Sequence, residues 1–278
     1  MIELGKKQKL KIVSRKSFGV YLAAADNAEE RVLLPEKQVP EGSKIGDEIE
    51  VFIYRDSSDR IIATTAEPFI TLGETAVLTV KENARIGAFL DWGLEKDLLL
   101  PFREQTVNVR EGHSYLVMLY IDKSKRLCAT MKLYHYLSCD SPYKKDDIVK
   151  ATVYDTSKDF GIFAAVDNKY SALIPRRECR RDIPVGTAIE ARVTAVKPDG
   201  KLDLSIREKA YLQMDEDADM VYALLEEYDG VFPFTENSPA EIIARETGLS
   251  KNSFKRAIGR LYKEGKIELT DKKIRRKG

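Results

Sequence analysis

The chain has 278 residues, of which 46 are basic and 45 acidic, so its formal net charge is +1. A hydrophobic content of 43% is enough for packed cores and excludes a fully disordered protein. No apolar run approaches the ~18 residues of a membrane span, and the first residues lack a signal peptide's apolar core, so we expect a cytoplasmic protein. Its three cysteines, Cys128, Cys139 and Cys179, form no CxxC pair and suit reduced thiols.

Three segments of the chain repeat one pattern. Each has a glycine with an aromatic residue two positions later, then an apolar strand that ends on proline, then a second glycine 11 residues after the proline. The three landmarks are Gly19, Pro35 and Gly46 in the first repeat, Gly87, Pro101 and Gly112 in the second, and Gly161, Pro175 and Gly186 in the third. Agreement at three landmarks in three segments indicates a tandem repeat.

Each repeat has the pattern of five short strands. In the first repeat we predict them near Lys9–Val13, Phe18–Ala23, Arg31–Leu34, Glu48–Tyr54 and Arg60–Thr64. Five strands in about 70 residues bury a core most economically by closing into an OB-fold barrel. We therefore predict a mainly β protein with barrels over residues 1–67, 68–140 and 141–210, and a linker over Leu133–Lys145.

The apolar periodicity becomes helical from Tyr211 onward. The predicted elements are a helix over Asp217–Tyr228 with the stripe Met220, Val221, Leu224 and Leu225, a helix capped by Ser238, a helix from the cap Ser250 to Glu264 with the stripe Phe254, Ala257, Ile258 and Leu261, and a hairpin of Lys266–Thr270 and Lys273–Arg275. This order is typical of an α/β winged-helix domain, here over residues 211–278.

The third repeat carries a family resemblance. From Phe160-Gly161-Ile162-Phe163 to the segment 200–208 it resembles the S1 RNA-binding domain, and the first two repeats are more diverged. Three S1-like barrels followed by a winged helix resemble the conserved virulence factor B family, also called YitL. The resemblance implies a cytoplasmic, non-catalytic RNA-binding protein of bacteria that influences gene expression after transcription.

Aromatic residues on the second strand of each repeat are the candidate stacking platform for unpaired bases. They are Phe160, Phe163, Phe18, Tyr21 and Phe89. In the second repeat Ile86 replaces the first aromatic residue, with Trp92 as a substitute. Strand parity directs one ring of each pair into the core, unless a bulge at the intervening glycine turns both outward.

Basic residues near these rings are the candidate phosphate contacts. They are Arg60, Arg126 and Lys201, which open the fifth strands, and Arg176, Arg177, Arg180 and Arg181 in the third repeat. The alternatives are a solvated strand end and a solvated loop paired with Glu178 and Asp182. S1 domains usually carry a histidine after the third strand, where this chain has the prolines of the repeat.

The third predicted helix and the wing form a second basic region. Its candidate contacts are Lys251, Lys255, Arg256, Arg260, Lys263, Lys272 and Lys273. Winged helices also dock proteins, so a protein-binding role is the alternative.

The sequence offers no catalytic motif and no metal site. Asp215, Asp217, Asp219 and Glu226 have the spacing of a calcium loop, but Met220 stands where the loop needs glycine and the segment has a helical pattern. His113 and His135 belong to no ligand pattern. We therefore predict a protein that is not an enzyme and needs no cofactor.

The balanced charge conceals opposed blocks. Residues 141–210 have a net charge of +3, residues 211–249 carry 1 basic and 10 acidic residues, and residues 250–278 carry 11 basic and 3 acidic. The sequence therefore predicts that single-stranded RNA binds the C-terminal half. Duplex nucleic acid and RNA-processing machinery are further candidate partners. The alternatives are a duplex-DNA-binding transcriptional regulator that reads through the third helix, and a protein-docking scaffold.

Overall fold

The computed structural model describes residues 1–24, 27–179, 182–206, 210–270 and 273–277. The chain divides into two compact units, Met1–Ile206 and Arg207–Gly278. The first unit contains the five-stranded barrels and the second contains the winged helix, as the sequence predicts. In the described part of the chain, no helix has both the length and the apolar character needed to cross a membrane.

The first and third barrels are closed, because their third and fifth strands pair in parallel. The first barrel consists of β1 (Lys7–Lys16), β2 (Gly19–Ala24), β3 (Asn27–Pro35), β4 (Glu48–Arg55) and β5 (Ile61–Thr64). The strands of the second are β6 (Thr75–Ala84), β7 (Gly87–Asp91), β8 (Leu98–Pro101), β9 (Ser114–Ile121) and β10 (Leu127–Thr130). Those of the third are β11 (Ile148–Ser157), β12 (Gly161–Val166), β13 (Tyr170–Pro175), β14 (Ala188–Val196) and β15 (Leu202–Ser205).

The second barrel differs from the other two in how its sheet ends. Its strand order is β10-β9-β6-β7-β8, and within residues 68–140, all of which are described, no ladder joins β8 to β10. These two strands nevertheless lie side by side around a common apolar core. Packing of side chains therefore completes this barrel where hydrogen bonds complete the others.

Aromatic side chains bury the contact between the first and second barrels. Phe52 and Tyr54 lie on the outer face of β4, and their rings meet Trp92 edge to face at centroid distances of 5.8 and 6.4 Å. Only 3% of Trp92 is exposed. The prediction that Trp92 substitutes for the missing stacking residue is therefore wrong, because this ring is buried between barrels.

The segment that joins the second and third barrels is packed. Leu133 and Leu137 are buried with Leu116 and Met118 of β9 and with Tyr154 of β11. Further along this segment, Ser138 forms a parallel β-bridge with Tyr170 of the third barrel. The predicted linker over Leu133–Lys145 is thus part of the interface, because its leucines supply the apolar surface between the two barrels.

The second unit contains three helices and a small sheet. Its elements are α1 (Ala210–Glu227), β16 (Val231–Phe232), α2 (Ala240–Thr247), α3 (Lys251–Lys263), β17 (Ile267–Leu269) and β18 (Ile274–Arg276). Ser250 caps α3 as predicted, since its hydroxyl oxygen accepts a hydrogen bond from the N–H of Ser253. The predicted stripe of α3 is fully buried and packs against α1 and the sheet.

Three local predictions for this unit are wrong, and one short strand was not predicted. The helix α1 begins seven residues earlier than predicted, and Met220 is exposed while Ala218 takes its place in the core. Pro239 is the cap residue of α2, and the hydroxyl of Ser238 instead accepts from the N–H of Thr235. The two-residue strand β16, which pairs with β18, is too short to produce a periodic signal.

We predict that Gly186→Ala lowers the stability of the protein more than Gly112→Ala does, because Gly186 lies against the second barrel. A Cβ at Gly186 would lie 2.5 Å from the carbonyl oxygen of Ser114, at a φ of +93°. Gly112, the equivalent position of the second repeat, has a φ of +74° and open space around it. Both substitutions should cost about 1–2 kcal/mol of backbone strain, and Gly186→Ala about 1–3 kcal/mol more from the clash.

Urea unfolding of the two variants measures this difference. Equal losses of stability would contradict the close contact of the two barrels at Gly186.

Candidate nucleic-acid interface

The rings on the second strand of each barrel lie outside the core. In the first barrel Val20 and Leu22 point inward, Tyr21 lies on the outer face, and Phe18 stands just before the strand. Of the two alternatives, one ring of each pair inward or both outside, the first and third barrels have both rings outside the barrel core. There is no bulge at the glycine, because the register shifts on the first strand of each barrel, opposite Tyr21, Phe89 and Phe163.

The glycine itself turns the first ring outward. Gly19, Gly87 and Gly161 have φ values of +149°, +151° and +124°. A Cβ at any of them would lie 2.1–2.2 Å from a carbonyl oxygen of the next strand. Only glycine fits this close approach, so the residue before it leaves the strand at the barrel surface.

In the first barrel the platform is open. The rings of Phe18 and Tyr21 contact edge to face with centroids 6.3 Å apart, and 55% of Phe18 is exposed. Two guanidinium nitrogens of Arg60 donate to the same carboxylate oxygen of Asp56, at 2.9 and 2.7 Å. This barrel therefore presents two rings and an exposed but paired cation.

In the second barrel the corresponding surface is shared with the first. Phe89 and Ile86 line a pocket of about 250 Å³, together with Arg126 and with Asp59 of the first barrel. The guanidinium of Arg126 lies 3.2 Å from the carboxylate of Asp59 and holds the pKa of that carboxyl below its usual value. Arg126 thus joins two barrels.

In the third barrel an aromatic cluster surrounds the predicted platform. Phe160 is 65% exposed, whereas Phe163 is half-buried against Tyr134 and Tyr154, at centroid distances of 5.8 and 6.2 Å. The ammonium group of Lys201 lies 5.0 Å from the centre of the Tyr134 ring.

Lys201 is held in place by two partners. Its ammonium group donates to Asp199 at 3.0 Å and to the hydroxyl of Tyr134 at 3.4 Å, and these contacts raise the pKa of Lys201. The lysine therefore remains a cation beside the aromatic cluster at neutral pH.

Sequence reasoning missed Tyr134. This residue belongs to the segment predicted to be a linker, yet 45% of it remains exposed while its edge contacts Phe163. The only signal in the sequence is the aromatic run Tyr134-His135-Tyr136, which is unusual for a polar linker.

The predicted arginine cluster begins on a 3-10 turn, Arg176–Glu178. The backbone N–H of Arg176 donates to the carbonyl oxygen of Phe160 at 3.0 Å, so the turn adjoins the exposed ring. The guanidinium of Arg176 lies 3.6 Å from the carboxylate of Asp182, and Arg177 is exposed. Arg180 and Arg181 lie outside the described residues.

The basic face of α3 is partly paired. Lys255, Arg256 and Lys263 are exposed, and Lys251 is half-buried with its ammonium group 3.4 Å from a backbone carbonyl oxygen. Arg260 contacts Glu264 of its own helix at 2.8 Å. Lys273 is exposed in the wing, and Lys272 lies outside the described residues.

The calcium-like spacing of acidic residues lies on a helix. The backbone from Asp215 to Glu226 is part of α1, whereas a calcium loop needs a sharp turn at its sixth position. Within the ranges that the structure describes, no cluster of three or more potential ligands could hold a metal ion.

Comparison with known proteins matches these units. Residues 4–66 and 72–132 match the family model described as S1 domain, residues 143–207 match S1 RNA binding domain, and residues 219–275 match CvfB-like winged helix domain. Proteins named conserved virulence factor B from Staphylococcus haemolyticus and Staphylococcus aureus are each 29% identical to the chain. The alignments cover 91% of this chain and 90% and 89% of those proteins.

A solved structure has the same fold. It is a multidomain protein with nucleic acid binding domains from Streptococcus pneumoniae, which is 21% identical with a TM-score of 0.53. The match covers 99% of this chain and 98% of that one.

We predict that Phe160 and Phe163 differ in their effect on stability. Phe160→Ala should change the free energy of unfolding by less than about 0.5 kcal/mol, because the ring is mostly in solvent. Phe163→Ala should cost about 1–3 kcal/mol, because it removes ring contacts with Tyr134 and Tyr154. Thermal and urea unfolding measure both, and a large loss for Phe160→Ala would assign that ring a structural role.

Proposed function

Because this chain belongs to the conserved virulence factor B family, with S1 domains and a winged helix, we propose that it binds single-stranded RNA without catalysis. Its role would be to regulate gene expression after transcription, in the cytoplasm. The observation that carries the proposal is the exposed ring of Phe160 on the third barrel, whose backbone adjoins the turn that begins with Arg176.

An exposed ring at this position suits an unpaired base. Base stacking on an aromatic side chain contributes about 1–3 kcal/mol, and it requires a base that is free of its duplex partner. Phe160 offers a ring in solvent, and the half-buried Phe163 and Tyr134 extend an aromatic surface nearby. Bases of a single strand can reach these rings, whereas those of a duplex are already stacked.

The neighbouring cations suit the phosphates of the same strand. Arg176 pairs with Asp182 at exposed positions, and the half-buried Lys201 pairs with the exposed Asp199. Exposed ion pairs of this kind are worth at most about 1 kcal/mol, so a phosphate can replace the carboxylate at little cost. The third barrel thereby supports both parts of single-strand recognition.

The winged helix supports an additional phosphate contact. Lys255 and Lys263 are exposed, and neither has an ion-pair partner among the residues that the structure describes. Unpaired cations on one helix attract a polyanion without reading its sequence. On the first barrel, Phe18 and Tyr21 offer a further, auxiliary platform.

We predict that the chain binds oligo-U more tightly than duplex DNA of equal length. Phe160→Ala should weaken oligo-U binding by about 1–3 kcal/mol, because one stacked base is lost. The matched control is Phe69→Ala, since Phe69 is 64% exposed but lies outside the third barrel. Fluorescence anisotropy measures the affinities of the wild type for both nucleic acids and of both variants for oligo-U.

Tighter binding of the duplex would instead favour a DNA-binding regulator. No binding of any nucleic acid would favour a protein-docking scaffold.

We also predict that the double variant Lys255→Ala, Lys263→Ala lowers the salt dependence of RNA binding. Each lost phosphate contact should reduce the slope of log K against log salt by about 0.7, and two by about 1.4. The control is Lys123→Ala, Lys150→Ala, which removes the same charge from exposed positions on the barrels. If both variants have the wild-type slope, α3 does not contact the RNA.

A further inference from the structure

A large groove separates the second and third barrels. Its volume is about 1010 Å³, at the upper limit of the ~300–1,000 Å³ typical of ligand pockets. Its lining includes Arg110 and His113 of the second barrel, Lys158 and Arg176 of the third, and the apolar side chains of Tyr115 and Val185. The size suits several units of a linear polymer better than one small ligand.

The charge of the groove selects an anion. Arg110 and Lys158 are exposed, and neither has an ion-pair partner among the described residues. Asp182 is the one carboxylate among the lining residues, all of which are described, and its side chain is 98% exposed. Cations from both barrels, together with apolar lining residues, match a chain that alternates phosphates with bases.

The groove continues the surface that contains Phe160. Gly161 and Arg176 line the groove, and the N–H of Arg176 donates to the carbonyl oxygen of Phe160. A strand with one base on Phe160 therefore reaches the groove with its next nucleotides.

The two walls are also fixed relative to each other. The hydroxyl of Thr106 donates to the carbonyl oxygen of Tyr154 at 3.2 Å, and that of Thr75 donates to the carbonyl oxygen of Asn168. Gly186 lies against Ser114 at the same junction. A groove with preformed walls binds without the entropic cost of assembling them.

We propose that this groove between the second and third barrels is a second RNA subsite, which holds the phosphates of nucleotides adjacent to the base on Phe160. The proposal rests on the single-strand binding proposed above. It adds a direction to the path of the strand, from the third barrel toward the second. It also assigns a binding role to Arg110 and Lys158.

The test compares oligo-U of about 4 and about 12 nucleotides, which span the lengths that one OB fold covers. For the 12-mer, the double variant Arg110→Ala, Lys158→Ala should lower the salt slope by about 1.4. Its loss of affinity between about 50 and 200 mM salt then becomes about sevenfold smaller than that of the wild type. The 4-mer, which Phe160 retains, should bind both proteins equally.

Two further variants keep the test sharp. Lys123→Ala, Lys150→Ala removes the same charge from the same two barrels outside the groove and should leave the 12-mer slope unchanged. Asp182→Asn removes the carboxylate of the groove and should strengthen 12-mer binding, a gain that partial unfolding cannot produce. Melting temperatures of all variants confirm that each is folded.

The outcomes separate the two proposals. If the groove variant binds the 12-mer with the salt slope of the wild type, the proposed subsite in the groove is wrong. Binding of the 4-mer that depends on Phe160 would still support the proposed function. An equal loss for both lengths would also overturn a separate second subsite. Failure of the wild type to bind either oligomer would overturn both proposals.

Discussion

Burial of apolar side chains on the outer face of the fourth strand holds the three barrels together. In β4 the inner face fills its own barrel, while Phe52 and Tyr54 on the outer face pack on Trp92 of the next barrel. Full burial of such a ring stabilises by about 1.5–3 kcal/mol, so a strand that is apolar on both faces requires a neighbour. In β14 the outer positions carry Glu190, which is exposed, and Arg192, which pairs with Asp146 at 2.9 Å, so this face is polar instead of apolar.

This stacking makes three different surfaces from one repeated pattern. The first barrel leaves its ring pair open to solvent. The second barrel shares the corresponding surface with the first, and Arg126 is paired across the junction with Asp59. The third barrel gains Tyr134 from the joining segment, and this ring connects Phe163 with Lys201. The position of a barrel in the stack therefore decides what the repeated pattern presents to a ligand.

The basic residues of the winged helix fall into two groups, those that form ion pairs within the domain and those that are exposed to a ligand. Arg276 contacts Glu226 at 2.8 Å and Arg260 contacts Glu264, so both contribute to local ion pairs. Lys255 and Lys263 project from the exposed side of α3, opposite its buried stripe. The last 29 residues thus contain more basic side chains than are free of local ion pairs and able to contact a polyanion directly.

The sequence alone determined the repeat, the five strands of each barrel and the apolar stripe of α3, because these depend on local periodicity and backbone sterics. The glycine landmarks are an example. At Gly161, and at its equivalents in the other two repeats, a carbonyl oxygen of the next strand lies too close to allow any side chain. Only the tertiary structure decided that Trp92 is buried, that Arg126 pairs across barrels and that Tyr134 joins the third platform. Each of these depends on contacts between repeats, which periodicity within one repeat does not encode.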